Sequence, residues 1–331
     1  METMKKFINS VDTFLEDSLR GFAAAHADLV ELHTAPTFLS RRHKKSGKVA
    51  IISGGGSGHE PLHTGFIGPG MLDGACPGQV FTSPTPDQML RAGETLECGA
   101  GVLFIVKNYS GDVMNFEMAS ELADFENATV LVQDDVALPS SSSTGRRGVM
   151  GTVIVEKVLG ALAEEGADLA TLLEAGRHLH TRMASMGVAL TSCTVPAAGR
   201  PTFTLADDEI EVGVGIHGEP GRRRAMLRPA SELTLELMAA LLEELSPHPS
   251  DEVLLIVNGM GATPLAELYV LFGEASQALE RLGLRLERSL VGNYTTALDM
   301  AGASLTLCLL DAEIKRAWDM PVHTAALRWG L

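Results

Sequence analysis

The feature that most constrains this chain is a regular alternation of two kinds of segment. Short apolar, β-branched runs ("KVAIIS", "GVLFIVKN", "TVLVQD", "GVALTSCTV", "EIEVGVGI", "EVLLIVNG", "LRLERSLVG" and "ASLTLCLL") border glycine-rich or polar turns and read as strands. Between many of them lie stretches whose apolar residues recur every three or four positions, at 152–187, 231–245 and 263–283; the last two have a Ser or Thr where a helix would begin. Strands alternating with helices bury both in α/β layers. At 331 residues the chain exceeds what one core comfortably fills, so the expected fold is α/β in two domains, each a central β-sheet flanked by helices. The helical stretch from Thr152 to about Met186 puts the boundary near Ser185, giving domains 1–185 and 186–331, with the C-terminal tail able to pack back on the first.

Composition removes several function classes. A formal charge of −16 is wrong for a general nucleic-acid surface, which needs clustered Lys and Arg, and "GRR" and "GRRR" are too local to reverse it. No apolar run reaches the roughly 18 residues of a membrane span. Cys76, Cys98, Cys193 and Cys308 are widely spaced without a CxxC pair, as suits a reduced cytosol. The N-terminus has acidic residues where a signal peptide would be apolar, so the cytoplasm is the expected location. "PSSSSTGRRG" reads as a mobile surface loop.

The segment "IISGGGSGHEPLH", residues 51–63, suggests a phosphate-binding loop but lacks its motifs. A P-loop needs G-x-x-x-x-G-K-[ST], and a dinucleotide fingerprint needs G-x-G-x-x-G; the lysine is missing, and His59 stands where the third glycine belongs. "HEPLH" fits the zinc-protease spacing, but Pro61 prevents the two histidines from occupying adjacent turns of one regular helix, so no metal is expected. What remains is a strand running into Gly55, Gly56, Ser57 and Gly58, where the backbone can approach a ligand and offer N–H groups beside His59. A tight turn whose histidine caps the next helix fits this segment equally, and the segment alone leaves both readings open.

A second polar cluster follows the next strand: Lys107, Asn108, Tyr109, Ser110 and Asp112. A carboxylate after a strand end is a natural general base, and also a common helix N-cap. Polar residues after two successive strands favour a site at the strands' C-terminal edge, where α/β sheets bind ligands. His217, in "EVGVGIHGEPG", ends an alternating run between Gly215 and Gly218, which leave its imidazole uncovered for use as nucleophile, base or ligand.

These segments resemble the K subunit of dihydroxyacetone kinase. The likeness runs through "SGGGSGHEPLHTGFIGPGMLDGACPGQVFTSPTPDQM", "VKNYSGDVMNFEMA", "GRRGVMGTVIVEK", "ASMGVALTSCTVP", "VGVGIHGEPG", "LLIVNGMGATPLAELY", "LVGNY" and "ALRWG". It implies that His217 adds to the carbonyl carbon of dihydroxyacetone to form a hemiaminal. It also implies that Asp112 and His59 serve the hydroxyl that receives the phosphoryl group, and that Gly55, Gly56, Ser57, Gly58 and Lys107 line the same pocket. The resembled subunits are dimers. They carry no nucleotide of their own, and ADP or ATP with magnesium sits on a separate L-type subunit recharged by a phosphotransferase protein. An ATP-dependent enzyme would carry that nucleotide region in the same chain, and this chain stops at "ALRWGL". A K-like sensor that binds dihydroxyacetone and a transcription regulator, or a kinase subunit for a related ketose, would use the same pocket. The opening "METM" reads as a short extension, and "NYTTALDM" departs slightly from the family pattern; neither is expected to touch the site residues.

Overall fold

The computed structural model describes residues 5–139 and 144–330, so "METM" and the serines at the centre of the expected surface loop lie outside the described residues. The first sheet has strand order β1-β2-β4-β3-β5-β6: β1 (Val30–Thr34), β2 (Thr37–Arg41), β3 (Ala50–Ser57), β4 (Gly74–Val80), β5 (Val102–Lys107) and β6 (Asn127–Val132). β4, β3, β5 and β6 run parallel, and an antiparallel β1–β2 hairpin closes one edge. Helices α1 (Phe14–Ala25), α2 (Pro86–Leu96) and α3 (Ser110–Leu122) belong to this half.

The stretch 152–187 is not one helical unit. It divides into α4 (Gly151–Glu164), α5 (Leu169–His180) and β7 (Met183–Ala189). Gly166 breaks the helix at φ +94°, and the Asp168 carboxylate accepts from the Thr171 N–H at 2.8 Å to start α5. β7 is buried on both faces, so it has no polar alternation to reveal it as a strand. It belongs to the second sheet along its whole length, and the expected boundary at Ser185 therefore falls inside a strand.

That second sheet has order β11-β10-β12-β7-β8-β9, adding β8 (Glu209–Val212), β9 (Arg223–Met226), β10 (Glu252–Gly259), β11 (Arg285–Gly292) and β12 (Gly302–Leu310). Only β10 and β11 are parallel. α6 (Ala230–Leu245) and α7 (Leu265–Arg281) start after Pro229 and Pro264, not at the Ser or Thr expected to begin them; proline's fixed φ suits the residue that enters a helix. α4 is buried from Gly151 to Ala163 and shares one apolar cluster with Ile51 and Leu103 of the first sheet and Leu254 and Ile256 of the second. α8 (Ala312–Asp319) and the β13–β14 pair (Val322–His323, Arg328–Trp329) complete the chain. This tail returns to the first half: the His323 and Ala326 N–H groups donate to the Pro69 and Gly65 carbonyls at 2.9 Å each.

Candidate active site

Because β3 and β5 are parallel neighbours, their C-terminal ends open on one edge, and the polar residues that follow them converge there. Gly54, Gly55 and Gly56 are the buried end of β3, not a free loop. They act chiefly through what they allow to approach. A Cβ on Gly55 would stand 2.2 Å from Lys107 Nζ, and one on Gly56 would stand 2.6 Å from the Thr82 nitrogen. The backbone N–H groups expected to face a ligand are partly in use, since Gly58 donates to the Glu60 carboxylate at 3.0 Å. The Ser57 hydroxyl donates to the Gly78 carbonyl at 2.7 Å. Gly55→Ala is expected to displace Lys107 and to lower stability by about 1–3 kcal/mol through overpacking, as measured by denaturant unfolding.

Lys107 ends β5, with its ammonium 3.3 Å from the Gly54 carbonyl and 3.6 Å from Asp112 Oδ2. Asp112 is not the N-cap of α3. Tyr109 holds that position, and Asp112 lies one turn in, 3% exposed, where the helix dipole favours a carboxylate. His59 Nδ1 lies 2.7 Å from the Thr296 carbonyl. A carbonyl only accepts, so Nδ1 carries the proton and Nε2 the lone pair. Burial, followed by the nearby His217 and Lys107, pushes this imidazole well below its ordinary range and keeps it neutral. "NYTTALDM" therefore does reach the site, contrary to expectation: Thr296 orients His59, and the Leu298 N–H donates to the Gly58 carbonyl at 2.9 Å.

His217 arrives from the second half of the chain. Its ring stands edge-on to three others: His59 at 4.7 Å, Phe81 at 5.1 Å and Tyr109 at 4.6 Å between centroids. Nδ1 lies 2.8 Å from Glu219 Oε1, while Glu219 Oε2 accepts the His217 backbone N–H at 2.9 Å. A carboxylate on Nδ1–H fixes the tautomer of the neutral ring and leaves the lone pair on Nε2. Burial would raise the Glu219 carboxyl, but its hydrogen bond to His217 and the Arg147 charge work against that, and the carboxyl is held at about 2. Arg147 is itself held by Asp135, 2.7 Å away. Among the described residues, His59 Nε2, Asp112 Oδ1 and the Tyr109 hydroxyl are buried polar atoms without a hydrogen-bond partner. Such atoms are costly unless something fills them, and two acceptors with a hydroxyl suit a small molecule bearing hydroxyl groups.

The structure thus brings together His59, Gly55, Gly56, Lys107, Asp112 and His217, with Ser57 and Gly58 shaping the turn behind them. Sequence reasoning missed Glu219, Phe81, His63 and Glu156. Glu219 was findable, since it lies two residues from a histidine in a glycine-flanked turn, and His63 was discarded with the zinc motif. The two rings of "HEPLH" have separate partners: His59 meets Thr296, whereas His63 meets Glu156 and Lys107. Phe81 carries no signal in its surroundings.

Residues 20–326 match the Dak1 domain. The chain is 48% identical, over 98% of its length and all of the relative, to the dihydroxyacetone-binding subunit DhaK of PTS-dependent dihydroxyacetone kinase 1 from Listeria innocua. It is 46% identical, over 99% of its length and again all of the relative, to the corresponding subunit of the PEP-dependent enzyme from Escherichia coli. The solved structure of the dihydroxyacetone kinase operon co-activator Dha-DhaQ superposes with a TM-score of 0.89 at 33% identity, covering 94% of this chain and 97% of that one. A two-sheet α/β chain matched along nearly its whole length in this way belongs to the Dak1 family, whose members include the subunits of dihydroxyacetone kinases.

Proposed function

We propose that this chain is the dihydroxyacetone-binding subunit of a dihydroxyacetone kinase and that it holds its substrate covalently on His217. The Nε2 lone pair attacks the ketone carbon; the ring's Nδ1 proton is lost as the former carbonyl oxygen gains one, giving a neutral hemiaminal. Glu219 holds the charge that develops on the ring during the attack. Covalent capture supplies a selectivity that contacts alone would not, because glycerol offers the same terminal hydroxyls without a carbonyl. The captured substrate then presents one hydroxyl to Asp112 and His59, both acceptors, and Asp112 takes its proton as the oxygen attacks a phosphoryl group.

The phosphoryl donor in this reading is ATP, regenerated from ADP and held with magnesium on a separate L-type subunit that a phosphotransferase protein recharges. The K-type chain works as a homodimer in the cytoplasm. The observation that carries the reading is the carboxylate-backed His217 facing a neutral His59 beside a buried, unpartnered Asp112 oxygen. Among the described residues no helix is long and apolar enough to cross a membrane.

The co-activator's similar structure supports a second reading, a sensor that captures the ketone without transfer. Asp112 favours the kinase, because sensing requires His217 but no base. The test is calorimetric titration of the isolated chain with dihydroxyacetone and, in parallel, with glycerol. Dihydroxyacetone is expected to bind and glycerol not; equal binding of both, or of neither, overturns the proposal. Erythrulose in a third titration identifies a subunit for a longer ketose.

A further inference from the structure

Lys107 has a neighbour that neither the resemblance nor the proposed reaction uses. His63 Nε2 stands 2.8 Å from Lys107 Nζ, and His63 Nδ1 stands 2.6 Å from Glu156 Oε1 and 3.0 Å from the Ser53 hydroxyl. An ammonium group has no acceptor, so His63 Nε2 must carry the lone pair and Nδ1 the proton. The Ser53 hydroxyl gives its own proton to the Ile105 carbonyl at 2.7 Å, leaving its oxygen to accept. The direction of every hydrogen bond from Lys107 through His63 to Glu156 is thereby fixed.

All of these groups are buried: Lys107 is 1% exposed, His63 5% and Glu156 0%. Glu156 lies in the middle of α4 and cannot move without disturbing the helix between the two sheets. Carboxylates and lysines are almost never fully buried unless paired. Burial pushes Glu156 well above the ordinary carboxylate range, opposed by the Lys107 charge; His63 is pushed well below its own, first by burial and then by Lys107 and His59. A group held at this cost only for packing would be replaced by an apolar one without loss.

We propose that His63 and Glu156 are positioning residues that act through Lys107, holding its ammonium in place beside Asp112, the base used for phosphoryl transfer. This inference rests on the functional reading above. Neither residue touches substrate in it; the contact belongs to Lys107 and Asp112.

The charged and titratable groups facing Lys107 are Asp112 from α3, Glu156 from α4, and His63 and His59 from the turn after β3. Glu156→Gln exchanges the carboxyl that faces His63 Nδ1 for an amide at nearly constant shape, changing the group that holds the ring in place. Losing an oriented second layer of this kind costs about 10–100-fold in activity. The expected result, with an L-type partner and ATP, is a fall of that size in kcat with dihydroxyacetone affinity within about threefold of wild type. His63→Gln should reproduce the kcat loss. In a Lys107→Met background, adding Glu156→Gln should cost nothing more, since residues acting through a shared partner are not additive.

Turnover of Glu156→Gln equal to wild type, or the same loss with and without Lys107, overturns the inference. The second outcome would assign Glu156 a purely structural role. A wild-type chain that fails to bind dihydroxyacetone overturns the functional reading itself, a result separable from either.

Discussion

Asp112→Asn is expected to leave dihydroxyacetone binding within about threefold of wild type and to lower transfer by roughly 10²–10⁴, the usual range for a positioned base. The amide keeps the shape and one acceptor oxygen but cannot take the hydroxyl proton as phosphorus is attacked. Packing gives no reason for a large structural penalty: among the described residues Oδ1 has no partner to lose, and Oδ2 meets Lys107 only at 3.6 Å. His217 lies on another part of the chain and is backed by its own carboxylate, so the proposed capture and transfer should separate cleanly. The check is calorimetry on the isolated chain beside the initial rate of dihydroxyacetone phosphate formation with an L-type partner. Near-normal turnover would remove Asp112 from the role of base and leave His59, whose unpartnered Nε2 is the other acceptor, to be tested in its place.

How far the sequence revealed this arrangement differed by element. Isolated apolar runs beside glycine, such as those that became β3, β5, β10 and β12, were legible because burial on both faces demands continuous hydrophobicity. β7 was legible only at its end: "GVALTSCTV" takes in residues 187–189, whereas residues 183–186 follow two genuine helices and satisfy a helical period as well as a strand's. The β1–β2 hairpin and β4 were missed because their short, half-polar or glycine-rich runs give little periodic signal. At the site, His59, Asp112 and His217 were singled out because each stands among polar or glycine residues at or just beyond the end of an apolar run. Residues that orient them were hidden, since a hydrogen bond between positions 63 and 156, or 59 and 296, leaves no local trace. Glu156 illustrates the point: within "TVIVEKVLG" it reads as the solvent face of an amphipathic helix, yet α4 has no solvent face there.

His217→Ala is expected to abolish preferential binding of the ketone. Without the Nε2 nucleophile, dihydroxyacetone and glycerol meet the same acceptors, His59 Nε2 and Asp112 Oδ1, and differ only in what surrounds the central carbon. Contacts to the terminal hydroxyls that both ligands share cannot tell them apart, so the two affinities should become nearly equal. Transfer should fall on the order of a thousandfold, because fixing a reactant on the protein supplies much of the orientation that a freely bound polyol must find for itself. Alanine also removes the ring that His59, Phe81 and Tyr109 surround, so its binding result needs a companion that preserves volume. His217→Gln fills the space with a side chain that cannot attack a carbonyl, and it should lose ketone preference as alanine does. Carbon-13 NMR with dihydroxyacetone labelled at its carbonyl carbon supplies the direct readout: movement of that carbon from the ketone to the tetrahedral range on wild type, absent from both variants, is the expected result. Ketone preference that survives in His217→Gln would mean that shape and hydrogen bonding select the substrate, and the covalent step would have to be abandoned even if both ligands still bound in this pocket.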